Sequence, residues 1–200
     1  MDTPLPKLRV GEIRRRLGAH APSILVPSAK HAAVAAVLHG TDTGSELLFI
    51  ERAEHPRDPW SGHMAFPGGR VDPGDASARH AAERETLEEV GLDLAGAELL
   101  GRLDDVEGAP PGFDSLVVSA FVYHLDRRVA ATPNSEVRNV LWVPMAHLED
   151  RERRVPFYWP RQQHDVHYPG ILVGQPDRHV VWGLTYRFLE LFFVALGRQL

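Results

Sequence analysis

A chain of 200 residues has room for one sizeable core and is too short for two independent ones, so a single domain spanning 1–200 is expected. With 44% hydrophobic and 24% charged residues, the composition is that of a globular protein and excludes long disorder. A net charge of −5 gives no global reason to expect a nucleic-acid partner, and the absence of cysteine excludes disulfides, thiolate catalysis and cysteine-ligated zinc.

Met1-Asp2-Thr3-Pro4 lacks the basic-then-apolar layout of a secretory signal, and the expected address is the cytoplasm. Leu8 to Leu17 reads as a short basic amphipathic helix, followed by a proline-punctuated connector. His31 to His39 and Glu46 to Glu51 read as strands on either side of a Gly/Asp/Thr turn. Ala53 to Asp75 carries four prolines and four glycines, a density of breakers that predicts a long loop without regular elements. The strongest helix signal follows, Ala76 to Val90, with Asp75 as the expected N-cap and Gly91 where a left-handed C-cap belongs.

Strands are predicted at Leu99–Leu103, Leu116–Tyr123 and Val140–Val143, then a short helix at Pro144–Leu148. Further strands are expected at Arg154–Tyr158 and around Val166 and Ile171. Trp182 to Leu196 closes the chain as a helix whose stripe of Phe188, Leu189, Leu191, Phe192 and Leu196 suits a core or a homodimer contact. Its most apolar stretch, Phe188 to Leu196, is too short to cross a bilayer, so no membrane partner is expected. Strands and helices mix without regular βαβ alternation, which predicts an α+β fold with α/β/α layers around a mixed sheet.

The chemistry is concentrated in one helix. Glu85 stands three residues before Glu88 and four before Glu89, so all three share a face. Like charges at these spacings repel by about 0.2–0.5 kcal/mol per pair in isolated helices, and a divalent cation reverses the sign. Hard ions such as Mg²⁺ and Mn²⁺ take oxygen ligands and combine a few carboxylates with substrate phosphates. Arg84 is placed to pair with Glu88 one turn on. A solvated acidic face explains the Glu triplet alone equally well.

The surrounding pattern decides between the two. Gly69, Arg84, Glu85, Glu88, Glu89, Gly91 and Leu92 resemble the Nudix box, G-x5-E-x7-R-E-U-x-E-E-x-G-U, here spanning 69–92. Asp75 stands at the first Glu, Thr86 at an aliphatic position, and eight residues instead of seven separate Asp75 from Arg84. The longer spacing is similar to that of the coenzyme A diphosphatase branch. Leu48, Arg52, Arg57, Gly62 and Phe66-Pro67-Gly68-Gly69 resemble that branch's additional signature, with one extra residue before Gly62 and with Phe49, Ile50 and Ala53 replacing its Leu, Thr and Ser.

The resemblance implies a Nudix sandwich with added N-terminal and C-terminal helices, and metal-dependent hydrolysis of a diphosphate linkage in coenzyme A or its derivatives. Glu85, Glu88, Glu89 and the Gly69 carbonyl would hold Mg²⁺ or Mn²⁺. Family members differ in their general base, so Glu136, in the loop before the strand bearing Trp142, and Glu89 both stand as candidates. Arg84, Glu88, Glu89 and Glu136 make up the expected catalytic set, and Arg52 and Arg57 are the expected phosphate anchors. Trp60 reads as a packing residue, and His164 and His167 as surface histidines. Another nucleoside diphosphate derivative (a nucleotide sugar, ADP-ribose or a dinucleotide) is the alternative substrate. A non-catalytic, nucleotide-sensing Nudix-like domain is the rival of another class.

Overall fold

In the computed structural model the described residues are 7–26, 30–42, 44–56, 58, 60–108, 115–159 and 167–200. Alternation along the first long apolar run organises the rest. In β1 (Lys30–Thr41), Ala33, Ala35 and Val37 point to one face of the sheet, and Ala32, Ala36 and Leu38 to the other. Its neighbours obey the same period. β2 (Gly44–Arg52) sends Leu48 and Ile50 to the first face and Leu47 and Phe49 to the second. Farther on, β7 (Leu116–Leu125) divides Phe121 and Tyr123 from Ala120 and Val122 in the same way.

The main sheet runs β3 (Met64–Ala65), β2, β1, β7, β5 (Glu98–Arg102), with β4 (Gly68–Arg70) on β1, β6 (Val106–Gly108) on β7 and β8 (Val137–Pro144) on β2. It is mixed, because β1 and β7 are parallel while their other pairings are antiparallel. One face is covered by α2 (Ala78–Val90), through Ala81, Ala82 and Val90. The other is covered by α1 (Val10–Gly18), α3 (Met145–Glu149) and α4 (Gly183–Ala195), together with a second sheet of β9 (Arg154–Tyr158), β10 (His167–Leu172) and β11 (Val180–Trp182). The result is the expected α/β/α sandwich.

The structure corrects several boundaries. The region from 53 to 75 is not free of regular elements: β3 and β4 lie within it, since two or three residues suffice to pair with β2 and β1. The N-cap of α2 is Ser77, whose hydroxyl accepts from the His80 amide at 3.1 Å, and not Asp75. Gly91 takes the left-handed C-cap at φ 69°. Trp182 ends a strand instead of opening the last helix, and β6 and β11 are too short to show in the pattern. Phe188, Leu189, Phe192 and Leu196 are buried within the chain's own core, so the stripe on α4 gives no reason to expect a dimer. No helix among the described residues is long and apolar enough to cross a membrane.

Candidate active site

The site is built where β4 lies between β1 and α2. Amides outside the regular ladder set its phase: Val71 N–H donates to His31 at 3.0 Å and Ala35 N–H to Pro67 at 2.9 Å. Ala33 and Gly69 lie midway between those pairs and so form the hydrogen-bonded couple of the antiparallel register. The backbone groups of Gly68 and Arg70 consequently face outward. The Gly68 amide donates to Glu89 Oε2 at 2.8 Å, and the Arg70 carbonyl accepts from Arg84 Nη2 at 3.1 Å. This corrects the expectation for Gly69: its carbonyl is turned into the ladder, and the outward carbonyl beside the acids is that of Gly68.

Glycine at 69 has a different importance. A Cβ there would collide with the carboxylate of Glu85, so only glycine lets that acid come so close to the strand. Gly68, at φ 151°, has no such room either, since a Cβ would run into the backbone of Ala33 and Val34.

The acids differ in their surroundings. Glu89 is 3% exposed, and burial pushes its carboxyl up to about 7. The Gly68 amide and Arg52 oppose that rise, while the charges of Glu85 and Glu136 add to it. Glu85 is partly buried and also raised by burial, against the pull of Arg84 and with help from Glu88 and Glu136. Glu88 is the exposed member. Glu136 is exposed, with its main chain tied to Ala53 and to the Asn134 side chain, and its carboxylate has no hydrogen bond or ion pair among the described residues. Its charge acts on both Glu85 and Glu89.

Arg84 is an orienting residue. Asp75 takes its Nε and Nη2, each at 3.0 Å, while Nη1 reaches Glu85 at 2.9 Å and Glu88 at 3.4 Å. Glu88 is thus its weaker partner, and Arg84 holds carboxylates instead of facing open space. That clamp is what Asp75 does in place of a longer acid, and Arg84 in turn holds the Asp75 carboxyl down to about 2. Thr86 fits its buried, aliphatic position because its hydroxyl donates back to the Ala82 carbonyl at 2.6 Å.

Among the described residues no three acidic or histidine side chains converge into a ready-made cation cage, and Arg84 pairs with both Glu85 and Glu88. The donor chemistry nevertheless fits a hard divalent ion: the carboxylate oxygens of Glu85, Glu88 and Glu89 and the outward carbonyl of Gly68.

A cavity of about 610 Å³ opens beside Gly68 and Gly69, on the face of the sheet opposite α2. Ala32, Val34, Met64, Val118, Leu184 and Phe188 line it, giving a mostly apolar floor. Trp182 forms one wall, stacked on Phe157 at 4.4 Å with the His63 ring edge-on at 4.9 Å. Arg52 stands between cavity and acids. Asp58 Oδ2 takes its Nε at 3.0 Å and its Nη2 at 2.8 Å, leaving Nη1 4.0 Å from Glu89. Nothing in the sequence spacing shows that Asp58, in a turn six residues on, returns to Arg52. Trp60 lines the cavity half-buried instead of packing fully away. Arg57 and His164 lie outside the described residues, and His167 is exposed against the Tyr158 ring.

The NUDIX domain family matches residues 29–162. The human protein named mitochondrial coenzyme A diphosphatase NUDT8 is 33% identical over 188 residues, which cover 94% of this chain and 78% of that one. Nudix hydrolase 22, chloroplastic, of Arabidopsis thaliana is 33% identical over 80% of this chain, which spans only 53% of the plant protein. Among solved structures, a MutT/nudix family protein from Enterococcus faecalis superposes with a TM-score of 0.56 at 17% identity, covering 90% of this chain and 66% of that one, which is a likeness of fold.

Proposed function

The chain belongs to the NUDIX family of hydrolases, and on that premise we propose that it hydrolyses a diphosphate linkage in coenzyme A or its derivatives, giving 4′-phosphopantetheine and 3′,5′-ADP. The observation that carries this reading is the gathering of Glu85 and Glu89 around the Gly68–Gly69 segment at the rim of the cavity, with the charge of Glu136 acting on both. The name of the human relative supports the choice of substrate.

In this reading Glu85, Glu88, Glu89 and the Gly68 carbonyl would hold Mg²⁺ or Mn²⁺. The ion would supply the charge that offsets the leaving phosphate and would acidify the attacking water. Glu136 takes the proton from that water, because its carboxylate is unengaged and stands within electrostatic reach of Glu85 and Glu89. Glu89 is kept in place by the Gly68 amide, and Arg84, fixed by Asp75, orients Glu85 and Glu88. Arg52, steadied by Asp58, offers Nη1 to a phosphate oxygen near Glu89. The proposed partner is this small molecule, not a nucleic acid, and the proposed address is the cytoplasm.

The test is product analysis by mass spectrometry after incubation with coenzyme A, ADP-ribose, a nucleotide sugar and dinucleotides, with and without Mg²⁺ or Mn²⁺. Metal-dependent release of phosphopantetheine faster than turnover of the others is expected. Faster cleavage of another member discards coenzyme A and keeps the chemistry. No cleavage of any member favours a nucleotide-sensing domain.

A further inference from the structure

Alternation along β4 separates two functions in consecutive residues. Gly69 faces Glu85 and the carboxylate helix, whereas Arg70 is paired with Ala32 and shares its side of the sheet, the side on which the cavity opens. The base of the Arg70 side chain is fixed, because its carbonyl accepts from Arg84. Its side chain is exposed, lines the cavity and has no acidic partner among the described residues.

Arg52 is differently placed. Asp58 already occupies its Nε and Nη2 edge, so that edge cannot grip a phosphate in the two-pronged manner that suits a guanidinium. Arg70 keeps all of its donors for a ligand. Lys30 lines the same wall, two residues from Ala32 and on the same face, and adds positive charge there.

We propose that Arg70 forms a second anionic subsite, which takes a phosphate monoester of the substrate remote from the bond that is cleaved. The inference deepens the coenzyme A reading and rests on it: the group in question is the 3′-phosphate, which is largely dianionic near neutral pH. With the diphosphate at the outer edge of β4, the 3′-phosphonucleoside end lies on the cavity face, its phosphate at Arg70.

The experiment compares kcat/KM for coenzyme A and for 3′-dephospho-coenzyme A, with Mg²⁺ held constant, in the wild type, Arg70→Ala and Arg70→Lys. Loss of one charge-assisted contact lowers the ratio of the two values about tenfold in Arg70→Ala, with partial recovery in Arg70→Lys. An unchanged ratio, or an equal loss on both substrates, overturns the subsite while leaving the coenzyme A reading intact. Turnover of neither substrate by the wild type removes that reading, and the subsite falls with it.

Discussion

Glu85 and Glu89 are neighbours in space because the helix brings every third and fourth residue to one face, and that local rule made them legible in the sequence. What lies around them depends on register and loop path. Gly68 and Gly69 exchange roles through the phase of a three-residue strand, and Asp58 reaches Arg52 through a turn that no spacing reveals. Glu136→Gln lowers kcat by about 10²–10⁴-fold with little change in KM, as removal of a general base requires, and steady-state kinetics check it. Gly69→Ala sets a methyl group against the Glu85 carboxylate. The variant is expected to fold but to lose the rise in Tm that Mg²⁺ gives the wild type, measured by thermal unfolding with and without the ion.

At the scale of elements, the long periodic strands and the carboxylate helix were legible, and the short ones were not. β3, β4, β6 and β11 have two or three residues each, so they carry no period of their own and exist because a longer strand accepts them. The start of α2 shows a competition between two caps. Ser77 was hidden because Asp75 is as good a capping type, yet Asp75 is drawn off by Arg84. Ser77→Ala therefore costs about 1 kcal/mol in denaturant unfolding. Asp75 behaves differently with pH. Its folded value, about 2, lies below its ordinary 3.8, so the stability it contributes is present above 3.8 and is lost as pH falls toward 2. Asp75→Asn is expected to flatten the stability profile within that window and to leave a lower plateau above it, read from unfolding midpoints at a series of pH values.

The whole molecule depends on contacts far apart in the chain. Glu51, 1% exposed on β2, is gripped by Arg178 at 2.7 and 2.9 Å, and His179 Nε2 stands 3.3 Å away. This pairing ties the loop before β11, and with it the cavity wall at Trp182, to the central sheet. It was illegible because 127 residues separate the partners. Glu51→Ala removes the buried acid that holds Arg178, itself exposed, and a lower denaturant midpoint in equilibrium unfolding is expected. The terminal helices share the core beneath that wall: Ile13 and Leu17 of α1 and Phe188 and Phe192 of α4 pack in one cluster. We propose that the carboxylates of α2 run metal-dependent hydrolysis at the rim of this cavity. This is tested most directly by the rate of phosphopantetheine release from coenzyme A for the wild type and Glu89→Gln, each with Mg²⁺ and with a chelator. Rapid release is expected only for the wild type with the ion, with the other three rates at least about 100-fold lower. Equal rates for the two proteins, or a rate indifferent to the chelator, would contradict it.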